Sequence, residues 1–135
     1  MRSRPVTGSS ALLLWLPPLA WAAVLFALSA GSGPAFAPPF PHIDKLEHAG
    51  AFSLLGFLVA RAFGGTWTLS AIATVLAGGL TAALYGVSDE IHQSFTPGRM
   101  VEVADAVADT VGGFAGACSF VLVSKWRSPV EANHG

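Results

Sequence analysis

The chain has 135 residues, of which 53% are hydrophobic and only 11% charged, against roughly 25% charged in an average globular chain. A formal net charge of −1 and a single cysteine, Cys118, exclude a nucleic-acid binder and a secreted disulfide scaffold, and the apolar content excludes a disordered chain. So few charges could hardly cover the surface of a soluble domain, which leaves a small integral membrane protein.

A membrane helix needs about 20 mostly apolar residues, and four stretches qualify. The first runs from about Ala11 to Ala30 through Leu12, Trp15, Val24 and Leu28. Pro17 and Pro18 interrupt it, which membrane helices tolerate. Arg2, Arg4 and Ala35-Phe36-Ala37 also resemble a secretory signal with its cleavage site. The apolar stretch is longer than such signals carry, and Pro38 would follow the cut, so a retained helix is expected. A Pro-rich loop, Gly31 to Asp44, leads to the second span, Lys45 to Phe63, which Gly64-Gly65-Thr66 closes as a tight turn. The third span covers about Trp67 to Ser88, with Gly78-Gly79 as packing residues. A polar loop from Asp89 to Met100 leads to the fourth, Val101 to Ser124, where Cys118 is also read as packing.

The expected fold is therefore all-α, a bundle of four transmembrane helices over residues 11–124, with tails at 1–10 and 125–135. With four spans, both termini and the Gly64 turn share a side. That side holds Arg2, Arg4, Arg61, Lys125 and Arg127 against Glu131. The other holds Lys45 and Arg99 against Asp44, Glu47, Asp89, Glu90, Glu102, Asp105 and Asp109. The Lys/Arg bias makes both termini cytoplasmic and turns the two polar loops outward.

This asymmetry gathers a candidate site at the outer ends of the last three spans. Glu102, Asp105 and Asp109 are spaced i, i+3, i+7 and share one helix face. Asp44, Lys45 and His48 open the second helix, with His48 one turn beyond the other two. Asp89, Glu90, His92 and Gln93 come together where the third span ends, and Arg99 follows a Thr96-Pro97-Gly98 turn. An Asp at a membrane-helix centre costs roughly 2.5–3.5 kcal/mol on insertion scales, so Asp105 and Asp109 need pairing, protonation or water. Arg99 is expected to pair with Asp89 or Asp105. Gly112 and Gly116 continue the Asp105–Asp109 face as a G-x-x-x-G patch that lets a helix, in this chain or a second copy, approach closely. His42 reads as a solvated bystander and His134 as part of a disordered tail.

These residues resemble the VanZ-like family. Asp44-Lys45-Leu46-Glu47-His48 is similar to its D-K-x-x-H opening, and Tyr85 to Gln93 to a second block with a D-E-x-x-Q core. Pro97-Gly98-Arg99 followed by Asp105 to Gly112 is similar to a third, P-G-R then D-x-x-x-N-x-x-G, with Asp109 where the family usually has Asn. The resemblance spans a motif core of about residues 44–116. It implies a polytopic protein of the bacterial cytoplasmic membrane. The family is named for a member associated with low-level resistance to the glycopeptide teicoplanin, and it supplies an envelope context rather than a reaction.

Four functions compete on the residues. A cell-envelope protein could bind a glycopeptide or a lipid-linked envelope precursor at the outer cluster, with Lys45 and Arg99 for phosphate or carboxylate and Asp89, Glu90 and Gln93 for hydroxyls or amides. An enzyme on a lipid-linked substrate could use His48, His92, Asp89, Glu90 and Asp105 for metal or acid–base chemistry, although no H-E-x-x-H or G-x-S-x-G spacing is present. A proton path through Asp105, Asp109 and His92 would stop partway, because no charged residue lies between Asp109 and Lys125. A scaffold would work through Gly112 and Gly116 alone. The first is the reading adopted, with the enzyme as its alternative; cofactor, metal and catalytic residues stay open.

Overall fold

A computed structural model describes residues 8–31 and 42–127. Arg2, Arg4, the Ala35-Phe36-Ala37 segment, Glu131 and His134 lie outside the described residues, as does most of the Pro-rich loop. Four helices make up the architecture: α1 Gly8–Ser29, α2 Ile43–Thr66, α3 Ala71–Gln93 and α4 Val103–Arg127. No strand occurs among the described residues. Each helix is long and apolar enough to cross a membrane.

α1 and α4 take in residues 8–10 and 125–127, expected in the tails, and α3 and α4 start at Ala71 and Val103 rather than near Trp67 and Val101; the ends of α2 and α3 differ from expectation for physical reasons. α2 does not stop at Phe63 but continues through Gly64-Gly65 to Thr66. A helical Gly costs only about 1 kcal/mol relative to Ala, and here Gly65 lies under the Leu14 side chain of α1, where a Cβ would come within 2.9 Å. The real connection is Trp67 to Ser70. There the Ser70 hydroxyl accepts from the Ala73 amide at 3.1 Å and caps α3. At its other end α3 does not yield to a loop at Asp89 but runs on to Gln93, so Asp89, Glu90, His92 and Gln93 are helical residues. The turn before Arg99 is as expected: Pro97 leads into Gly98 at φ 80°, and the Arg99 amide donates to the Thr96 carbonyl at 3.2 Å.

Around a small apolar cluster of Leu25, Phe52, Leu55 and Val59 the interior is rich in small and polar residues, and many large apolar side chains point outward. Leu13, Leu19, Ile72, Leu84 and Leu122 are all exposed. This inverts the soluble pattern and suits a lipid solvent as apolar as leucine, where helices associate by close backbone packing. α4 makes its most extensive contact with α2 and its next with α3. Its buried face reads Asp105, Asp109, Gly112, Gly113, Gly116, Ala117 and Val121. A Cβ at Gly112 or Gly116 would run into the backbone of Ala49 or Ser53 in α2. The G-x-x-x-G patch is thus filled within the chain, which leaves no free surface there for a second copy. Gly78 packs against Ala60 and Ala117, and Gly79 against Phe114. Cys118, by contrast, is exposed and packs nothing inside.

α1 lies against α2 and touches α3 more lightly. Three side chains tie it down. Trp15 donates to the Thr66 hydroxyl at 3.0 Å, Trp21 to the Ala51 carbonyl at 2.9 Å, and Tyr85 to the Ala22 carbonyl at 2.6 Å. These contacts set α1 antiparallel to α2 and parallel to α3. Trp15 meets Phe63 and Trp67 edge-to-face, and those two tilt against each other, at one end of the bundle, the kind of belt that sits at a membrane interface. The polar residues occupy the opposite end.

Candidate functional site

The polar end collects the C-termini of α1 and α3 and the N-termini of α2 and α4, so residues far apart in sequence converge there. Asp44 and Asp105 sit in first helical turns, where a carboxylate is favoured by the helix dipole. Asp89 and Glu90 sit near the C-terminus of α3, where a negative charge is disfavoured, and both are buried. Such a local violation is characteristic of functional sites.

Two polar groups lie side by side. In the first, Lys45 Nζ is 2.7 Å from Asp44 Oδ2, 2.5 Å from Glu102 Oε2 and 2.5 Å from Asp105 Oδ1. The ammonium ties the start of α2 to the start of α4. Glu102, which the spacing places on the Asp105 face without giving it a role, belongs to this group.

The second group is deeper. His48 Nδ1 is 2.8 Å from Asp109 Oδ1, and its Nε2 is 4.0 Å from Asp105 Oδ2. Asp109 is wholly buried and Glu90 is 4% exposed. Gly86 makes room for Asp109: a Cβ there would come within 2.8 Å of the Asp109 Cβ and 3.0 Å of Oδ2. One turn further along α3, Glu90 Oε2 accepts the Glu102 amide at 3.2 Å and helps to start α4. Glu90 Oε1 and Asp109 Oδ2 are buried with no hydrogen-bond partner among the described residues. His48, Glu90 and Asp109 each offer a ligand atom within 4.8 Å of the others, and so do Asp44, Glu102 and Asp105.

A cleft of about 290 Å³ opens beside these groups, between α1, α2 and α3. Its polar lining is Ser29, Glu47, His48, Asp89, Gln93 and Arg99, and its apolar lining comes from Leu25, Leu28, Ala51 and Phe52. Gln93 donates to Asp89 Oδ2 at 3.0 Å, which fixes that carboxylate on the wall.

Two residues are placed differently from expectation. Arg99 does not pair with Asp89 or Asp105; it donates to the Gly31 and Leu28 carbonyls, each at 3.3 Å. The carbonyl end of a helix dipole attracts a cation; the Leu28 carbonyl accepts the Gly31 amide as well as Arg99, and among the described residues Arg99 forms no ion pair. His92 leaves the carboxylates and turns to α1, stacking on Phe26 with centroids 4.4 Å apart, with Nδ1 3.5 Å from the Ser29 hydroxyl. The remaining candidates, Asp44, Lys45, His48, Asp89, Glu90, Gln93, Asp105 and Asp109, do converge, while Gly112 and Gly116 serve as the packing beneath them. Ser29, Glu47 and Gly86 join the site without a sequence pattern of their own, apart from the positions of Glu47 in the Asp44–His48 block and Gly86 in the Tyr85–Gln93 block.

The family model described as VanZ/LLP1 matches residues 8–124, and the chain belongs to that family. No curated protein and no solved structure matches. The family and the four apolar helices together make this a multi-pass membrane protein.

Proposed function

We propose that this VanZ-family protein binds the head group of a lipid-linked component of the bacterial cell envelope, or a glycopeptide that engages it, in the cleft at its outer, extracytoplasmic end. The observation that carries this reading is the composition of the cleft: charged and amide side chains on one part of the wall, aliphatic and aromatic ones on the other. An amphiphile held at the membrane surface presents that combination. Arg99, neutralised by no carboxylate among the described residues, offers a bidentate donor to phosphate or carboxylate. Asp89 and Gln93 offer acceptors and donors to hydroxyls and amides. The outward orientation follows from the Lys/Arg bias, with tails at 1–10 and 125–135 on the cytoplasmic side of a VanZ-like domain over 11–124.

The test is teicoplanin and vancomycin susceptibility in a sensitive Gram-positive host expressing the protein, its Arg99→Ala variant or its His92→Ala variant at equal membrane levels. A teicoplanin-selective shift that Arg99→Ala abolishes is expected. His92, turned toward α1, should matter less. An identical shift for the intact protein and Arg99→Ala would contradict a role for the cleft.

A second reading, a membrane-embedded enzyme acting on the same class of substrate, is favoured by the His48–Asp109 hydrogen bond. A buried carboxylate that orients an imidazole is the arrangement general-base catalysis uses. Turnover of a lipid-linked phosphate lost on His48→Gln would support it.

A further inference from the structure

We infer that His48, Glu90 and Asp109 form a binding site for one divalent transition-metal ion of the zinc or manganese type, an inference that stands apart from the head-group reading.

The argument begins with packing. Gly86 and Gly113 let α3 and α4 approach so closely that a Cβ on either would collide with the other helix. The same approach buries Asp109 completely and sets Glu90 beside it. Each carboxylate keeps one buried oxygen without a partner among the described residues, Glu90 Oε1 and Asp109 Oδ2. Two carboxylates facing one another in a low-dielectric interior repel, and among the described residues the basic side chain bonded to this pair is His48, on Asp109 alone. A cation or a shared proton must lie between them.

The neighbouring acidic group shows what compensation looks like here. Asp44, Glu102 and Asp105 also bring ligand atoms within 4.8 Å of one another, but the Lys45 ammonium already lies among them at 2.5–2.7 Å. That group holds its cation. The deeper group receives no ammonium from the described residues; its basic member, His48, carries an imidazole suited to a metal.

The donor set fixes the chemical class. One imidazole with two carboxylates suits zinc or manganese better than magnesium or calcium, which take oxygen ligands throughout. Bonds of about 2.0–2.2 Å bring donor atoms within about 4.2 Å of each other, so small side-chain rotations close the site from its present span. Three protein donors leave a coordination position for water or a ligand group, and His48 also lines the cleft.

The experiment uses tag-free protein in lipid nanodiscs, stripped with chelator, dialysed against Zn²⁺ or Mn²⁺, and assayed for bound metal by elemental analysis. One equivalent per chain is expected. Glu90→Gln and Asp109→Asn should each weaken binding at least tenfold, as even outer-shell changes at metal sites cost 10–100-fold, whereas Glu102→Gln should leave it within about threefold. Should both substitutions prevent insertion, the intact protein loaded with Co²⁺ decides. Visible bands of a four- or five-coordinate ion support the site, and the weak spectrum of the hydrated ion overturns it. Stoichiometry below about 0.1 per chain overturns the inference in favour of a shared proton. Binding unchanged in Glu90→Gln overturns it in favour of an adventitious site.

Discussion

Gly116→Ala tests how the fold positions the polar end. A Cβ at Gly116 would overlap the Ser53 carbonyl oxygen and lie 2.7 Å from the Ser53 carbonyl carbon and 2.9 Å from the Phe57 amide nitrogen. All three contacts are backbone, so no side chain can rotate away. Reaching ordinary contact distance of 3.4 Å from the Ser53 oxygen requires α2 and α4 to give way by roughly 1.5 Å. Overpacking of this kind costs about 3 kcal/mol at the upper end of its range. The shift also stretches the His48–Asp109 bond, for about 1 kcal/mol more. Replacing a helical Gly by Ala returns about 1 kcal/mol, so the net loss is about 3 kcal/mol. Gly50, exposed on α2, is the control: nothing lies within 4 Å of its Cβ position, and Gly50→Ala should gain up to about 1 kcal/mol. Reversible unfolding in mixed micelles of graded SDS content measures both. Gly116→Ala as stable as Gly50→Ala would refute the close-packing argument.

Four further outcomes are expected. Lys45→Met leaves the mostly buried Asp105 without its cation and should cost about 2–4 kcal/mol, with Asp105→Asn on top recovering much of it in the same unfolding assay. Glu102→Gln, whose side chain is 49% exposed, should cost under about 1 kcal/mol. Trp21→Phe with Tyr85→Phe removes two bonds that hold α1, so hydrogen exchange should rise in α1 by several-fold while α2 and α4 stay protected; uniform loosening would contradict the peripheral placement of α1. In a Cys118→Ser background, Ser94→Cys should label with a membrane-impermeant maleimide on intact cells and Thr68→Cys only after lysis. The reverse pattern would overturn the outward placement of the polar end.

The four spans were legible because hydropathy over about 20 residues is a strong signal. Their ends were not, since Gly64-Gly65 and the run Asp89 to Gln93 carry the residues of turns while packing keeps both helical. Helical spacing placed Asp105 and Asp109 on one face and His48 a turn beyond Asp44 and Lys45, and the structure pairs Lys45 with Asp105 and His48 with Asp109. The partners of Arg99 and His92 were hidden for a different reason. Both engage the end of α1, whose Leu28 carbonyl and Phe26 ring come near them only through tertiary packing. Likewise nothing in the pattern sets Gly86 against Asp109, a contact that depends on how closely α3 meets α4.

The central claim is that the cleft recognises an anionic lipid-linked head group through Arg99. Its most direct test is equilibrium binding of a polyprenyl phosphate to the protein in nanodiscs, beside Arg99→Ala and Arg61→Ala, the latter changing a charge at the opposite end of α2. Saturable binding that Arg99→Ala weakens at least tenfold and Arg61→Ala leaves unchanged is the predicted result. Equal binding by all three proteins would contradict the account.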